Sequence, residues 1–157
     1  MLKTINSPSV TPQQEAHGVT ARKTIRWLRI SYWVGALFDA FVLLPMLSTK
    51  VAQVAFGIPN FNPGPDFRYA IYLAASLMLG WVCLLIWADR KPLERKGVLL
   101  LTVIPVLAGI IVAGVYAVAA GFISVGKMLP VWIMQGILLI LFGFSYMQAT
   151  RVKASVV

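Results

Sequence analysis

The chain has 157 residues, 59% of them hydrophobic and 12% charged, with fourteen Lys and Arg against five Asp and Glu and a net charge of +9. A soluble domain carries about 25% charged residues, so this composition points to lipid as the solvent. One cysteine, Cys83, and one histidine, His17, exclude an internal disulfide framework, a CxxC pair, a bis-histidine haem and a His/Cys zinc site within a single chain, and neither metal nor other cofactor is expected.

Residues 1–21, MLKTINSPSVTPQQEAHGVTA, are polar, lack an apolar period and lack the basic-then-apolar layout of a cleavable signal peptide. They are expected to form a flexible polar tail. A transmembrane domain is expected over 22–150, followed by a short basic tail over 151–157. Four apolar runs, about 30–48, 69–88, 98–119 and 129–148, each match the length that crosses a bilayer core of about 30 Å. Lipid offers the backbone no hydrogen bonds, so each run must be a helix. The predicted fold class is all-α, with four transmembrane helices in an antiparallel bundle.

The connection TKVAQVAFGIPNFNPGPDFR is the one long loop. Its first half can extend the first helix or lie in the interface, and IPNFNPGP must turn. Asp66 sits where an N-cap for the second helix is wanted. In DRKPLERKG, Pro92 and Glu94 suit a helix start, which places the beginning of the third helix there.

Orientation is read from the bases. Lys3, Arg22, Lys23, Arg26 and Arg29 precede the first span, Arg90, Lys91, Arg95 and Lys96 join the second and third, and Arg151 and Lys153 come after the fourth. Lys50, Arg68 and Lys127 are the bases on the other side. Eleven against three places both termini in the cytoplasm. Because the bases border apolar runs, the partner they imply is the anionic headgroup layer of a bilayer and not nucleic acid. Trp27, Trp33, Trp87 and Trp132 fall near interfaces, and Phe61, Phe67, Tyr69 and Tyr72 suit an outer aromatic belt.

Small residues mark helix contacts in lipid. Gly35 and Ala36 on the first helix, Gly109, Ala113, Ala117 and Gly121 on the third, and Gly136 and Gly143 on the fourth are the expected packing positions. The stripe on the third helix would serve equally as a dimer face, so a homo-oligomer or a larger membrane complex is open. Pro45 and Pro105 free the carbonyls of Phe41 and Leu101, either as tolerated kinks or as the lining of a cavity.

Asp39 is the one formally charged residue inside the four runs. An aspartate at mid-membrane costs about 2.5–3.5 kcal/mol on insertion scales, lowered when it turns inward and is neutral or satisfied by neighbours. Tyr32, Gly35 and Ala36 share its face. Ser76, Cys83, Thr102 and Ser145 lie at similar depth, while Gln135 and Tyr116 lie nearer the outer side. Asp39, Tyr32, Ser76, Gln135 and Tyr116 are therefore the candidates for a proton or ligand site. The carboxyl could equally be a structural hydrogen-bonding group. Cys83 reads as an apolar filler. Lys50, Asp66, Arg68 and Lys127 form an outer rim that could greet an anion, or simply anchor. No nucleophile–His–acid set, paired acids or phosphate loop is present, so no catalytic residue is assigned.

FNPGPDFRYA (61–70) with WADRKPLERKGVLLLT (87–102) resembles a pattern in small four-helix membrane proteins of bacteria and archaea, a family without an assigned activity. The likeness covers the spans and implies the inner membrane of a prokaryote. In outline the chain is also similar to small multidrug transporters, which carry one acid in the first helix, and, by span number, to DoxX-like proteins. The resulting expectation is a non-catalytic membrane protein, either a small accessory subunit or a binder of an apolar ligand within the bundle. The alternative is a small proton-coupled transporter that uses Asp39.

Overall fold

The computed structural model describes residues 12–57 and 61–154. Residues 1–11 of the expected tail, 58–60 of the long connection and 155–157 of the C-terminal tail lie outside the described residues.

Helix α1 spans Pro12–Leu47 without interruption, so the half of the expected tail from Pro12 onward is helical. Proline at a first helical position loses no hydrogen bond. Polar residues need no apolar stripe here, because adding turns to an existing helix avoids the cost of a new nucleus. At the other end Ser48 turns extended and accepts from the Val51 N–H at 3.5 Å, starting the short helix α2, Thr49–Phe56. Gly57 closes α2 at φ +68°, a left-handed conformation open to glycine at little cost. The first half of the long connection is thus a separate helix and not an extension of α1.

Helix α3 covers Pro65–Asp89 and is capped by the backbone of Gly64. Asp66 is not its N-cap. It lies inside the first turn, favourable to the dipole but without a capping hydrogen bond, because Pro65 takes the first helical position. Pro92 does not start the third span either. Residues 90–96 coil through turns, held by Arg95 N–H to Lys91 O at 3.1 Å and an Lys91–Glu94 ion pair at 3.1 Å, and helix resumes at Gly97.

The third span, Gly97–Ala119, has three parts: α4 over Gly97–Leu101, a π-helical stretch over Thr102–Leu107 and α5 over Ala108–Ala119. Pro105, which has no N–H to give, lies in the π stretch, where the Ala108 N–H reaches back five residues to Val103 O. Such a widened turn holds an extra residue and rotates the rest of the helix by roughly 100°. Gly121 then turns the chain at φ +71°, so it belongs to the turn and not to a packing stripe. Helix α6, Val125–Ala154, closes the bundle.

Four helices are long and apolar enough to cross a membrane: Val19–Leu47, Pro65–Asp89, Gly97–Ala119 and Val125–Val152. They contain the four predicted spans except for Ser48. Helix α1 packs along α3 and α6, and α6 packs along the third span. The core is built from residues such as Leu28, Ala36, Leu85, Leu99, Phe142 and Ala149. Leu77, Val112 and Ile140 point outward, as do many other large apolar side chains. An apolar exterior around an apolar core is the arrangement of a bundle solvated by lipid, and the chain is a four-helix integral membrane protein.

The end that carries the 90–96 turn is tied by polar contacts. The Tyr32 hydroxyl donates to Arg95 O at 3.0 Å, with Pro92 O at 3.4 Å. The Arg95 guanidinium lies 3.3 Å over the Trp87 ring and donates to the Trp87 carbonyl. Asp89 accepts from Trp33 Nε1 at 3.3 Å and faces Arg29 at 3.6 Å. Three of the expected interfacial tryptophans are thus fixed by neighbours here, Trp27 by an edge-on contact with Phe144.

Candidate functional site

Between α1, the third span and α6 the bundle leaves a partly open cavity of about 520 Å³. It forms because α6 packs against both α1 and the third span, while those two are held apart. Their facing residues are small where they would otherwise fill the gap, namely Gly35 on α1 and Ala113, Gly114 and Ala117 on α5. Pro45 and Pro130 also line it. Phe38, Met134, Leu138 and Phe142 supply apolar wall, and the volume falls within the range of pockets that enclose a small molecule.

Four polar side chains reach this space: Asp39, Thr102, Lys127 and Gln135. Thr102 is committed elsewhere, donating to Val98 O at 2.8 Å and accepting from Trp81 Nε1 at 3.3 Å. Asp39 is 8% exposed and Gln135 2% exposed. Asp39 Oδ2 and Gln135 Oε1 are each sealed from solvent with no hydrogen-bond partner among the described residues. Leaving a buried polar atom unpaired costs about 1–3 kcal/mol, so two at one cavity mark the site. Lys127 stands eight residues before Gln135 on α6, about 12 Å along the axis, with its aliphatic chain against Gly57.

The other candidates are not brought to this place. Tyr32 is fully buried but engaged by the 90–96 turn, seven residues or about 10 Å from Asp39 along α1. Ser76 is exposed and donates to Leu73 O at 2.7 Å, and Tyr116 is 74% exposed. Ser145 bonds Ser31, and Cys83 is exposed on α3, so it fills no core gap. Of the expected rim only Lys127 lines the cavity. Lys50 and Asp66 are exposed away from it, and Arg68 donates to Pro63 O and Asn62 Oδ1, both at 3.2 Å.

The packing glycines divide in the same way. A Cβ on Gly35 would meet Phe142 Cζ at 2.9 Å and Leu85 Cδ1 at 3.3 Å, so Gly35 sits where α1, α3 and α6 converge, and Ala36 beside it is buried. A Cβ on Gly109, Gly136 or Gly143 would meet nothing within 4 Å, so none of the three is a position of close helix contact, and Ala113 and Ala117 face the cavity. The contact glycine of the third span is Gly114, where a Cβ would lie 3.0 Å from Trp132 Nε1. Among the described residues no group of three His, Cys, Asp or Glu side chains could hold a metal ion.

No known family model, no characterised protein and no solved structure matches the chain.

Proposed function

We propose that this protein is a non-catalytic membrane component that holds an apolar ligand inside its bundle. The observation that carries the reading is the 520 Å³ cavity, apolar over nearly all of its wall and bordered by exposed Phe41 and Met134, which face the surrounding lipid. A cavity left empty forfeits packing on every side, and in a bilayer the molecules at hand to fill it are apolar. In this reading the membrane is the inner membrane of a prokaryote, with both termini and the 90–96 turn on the cytoplasmic side against anionic headgroups.

The test is native mass spectrometry and lipid analysis of protein purified in mild detergent. The expected result is a small apolar molecule retained by the wild type and lost from Ala113→Phe, which fills the cavity from one wall. An identical bound inventory in both would overturn the reading.

The buried Asp39 carboxyl favours a second reading, proton-coupled transport with Asp39 as the exchange site. That reading expects a homo-oligomer in mild detergent and loss of proton-coupled flux in Asp39→Asn proteoliposomes.

A further inference from the structure

We infer that the ligand of this cavity is a lipophilic amine, whose nitrogen is held jointly by Asp39 and Gln135 and whose hydrocarbon body lies against Phe38, Met134 and Phe142. The inference rests on reading the cavity as a ligand site and names the ligand's chemistry.

Donors and acceptors at the site do not balance. The two sealed atoms on side chains that line the cavity, Asp39 Oδ2 and Gln135 Oε1, are both acceptors, while the sealed donor Trp132 Nε1 belongs to a side chain outside the lining, beside Gly114. Turning a carboxyl about its last bond exchanges its two oxygens, so the carboxyl needs no change of helix position to present a free oxygen to the cavity. Thr102 has no proton to offer, because its hydroxyl hydrogen goes to Val98 O. The ion pairs of the described residues, Arg29 with Asp89 and Lys91 with Glu94, lie at the end of the bundle that carries the 90–96 turn. Lys127, the one basic side chain lining the cavity, stands about two helical turns from Gln135. Apart from the Gln135 amide's own N–H groups and the Lys127 ammonium, the lining side chains offer these acceptors no donor, and Asp39 makes none of the ion pairs of the described residues.

A ligand hydroxyl brings one O–H and can satisfy one of the two oxygens. A protonated primary amine brings three N–H donors and a positive charge, enough for both oxygens and for the carboxylate. A ligand carboxylate would add acceptors to a place that already has too many. Access is lateral: Phe41, Ile110 and Met134 line the cavity and are exposed on the lipid-facing surface, so an amphiphile already in the bilayer enters from the side.

Binding of radiolabelled dodecylamine and dodecanol to the full chain in nanodiscs, against empty nanodiscs, tests the inference. The two probes share a tail and differ in the head. The expected result is saturable binding with the amine at least tenfold tighter than the alcohol. Asp39→Asn and Gln135→Met should each reduce the preference for amine over alcohol severalfold. Equal binding of amine and alcohol to the wild type overturns this inference and leaves the cavity reading standing, and a preference that survives both variants does the same. No saturable binding of either probe overturns both. Should Asp39→Asn not fold, Gln135→Met and the wild-type ratio decide the matter alone.

Discussion

The hydroxyls of Ser31 on α1 and Ser145 on α6 lie 2.8 Å apart, with both side chains fully buried. Ser31 also bonds Trp27 O at 3.0 Å, so the pair joins two helices and one of them back to itself. Interhelical hydrogen bonds in membranes average about 0.6 kcal/mol and reach about 1.7, because the unfolded chain in lipid also finds partners. Ser31→Ala and Ser145→Ala should each cost an amount in that range, and the double variant little more than either alone. Unfolding in mixed micelles monitored by circular dichroism gives the cycle. Strictly additive losses would mean the two hydroxyls do not interact.

Glycines in the spans should respond with opposite signs. Gly35→Ala brings a Cβ into Phe142, itself hemmed in, and overpacking of this kind costs about 1–3 kcal/mol. Gly109→Ala and Gly136→Ala meet nothing within 4 Å, and alanine is the better helix former by about 1 kcal/mol, so these two should be neutral or stabilising. Thermal stability of the three variants side by side is the measurement. A loss at Gly109 equal to that at Gly35 would point instead to a second copy of the chain seated on α5.

These contrasts show which features the sequence discloses. The four spans are legible because lipid imposes helix on any apolar run of sufficient length. Asp39 is legible because a carboxyl at that depth has few tolerable surroundings, and it does turn inward to a cavity. Rotational phase is what a stripe of letters leaves undetermined. Gly109, Ala113 and Ala117 share a face, but the π-helical stretch beside Pro105 turns that face away from where a regular helix from Val98 would put it, and Gly114 makes the contact. Ser76 and Tyr116 match Asp39 or Gln135 in depth and face elsewhere. Gln135, which its place in the sequence puts nearer the outer side, lines the same cavity as Asp39. The Ser31–Ser145 bond left no signal beyond two small polar residues, which are common in such helices.

Tyr32 and Arg95 should act as a clasp on the 90–96 turn. Tyr32→Phe removes the donor to the Arg95 carbonyl and should cost about 1 kcal/mol, the net worth of a typical hydrogen bond. Arg95→Lys keeps the charge but loses the flat guanidinium that covers Trp87, so it should behave more like Arg95→Ala than like wild type. Amide hydrogen exchange across residues 90–96 is the readout, with faster exchange expected in all three variants and the C-terminal half of α1 unchanged. Wild-type protection in Tyr32→Phe would show that the turn holds itself.

The bases make a prediction about sidedness. Arg90, Lys91, Arg95 and Lys96 share one end of the bundle with Arg22, Lys23, Arg26 and Arg29, and Lys50 and Lys127 share the other. The fold fixes these groups relative to one another, and the charge asymmetry predicts which group faces the cytoplasm. Cys83 is exposed outside the core, so Cys83→Ser should fold and give a background free of thiols. On it, Lys50→Cys should react with a membrane-impermeant maleimide added to intact cells, and Lys91→Cys should react only after the membrane is opened. The reverse pattern would keep the bundle and invert its orientation. Labelling of both positions from outside would break the four-span topology, because Lys50 and Lys91 are separated by one crossing, Pro65–Asp89.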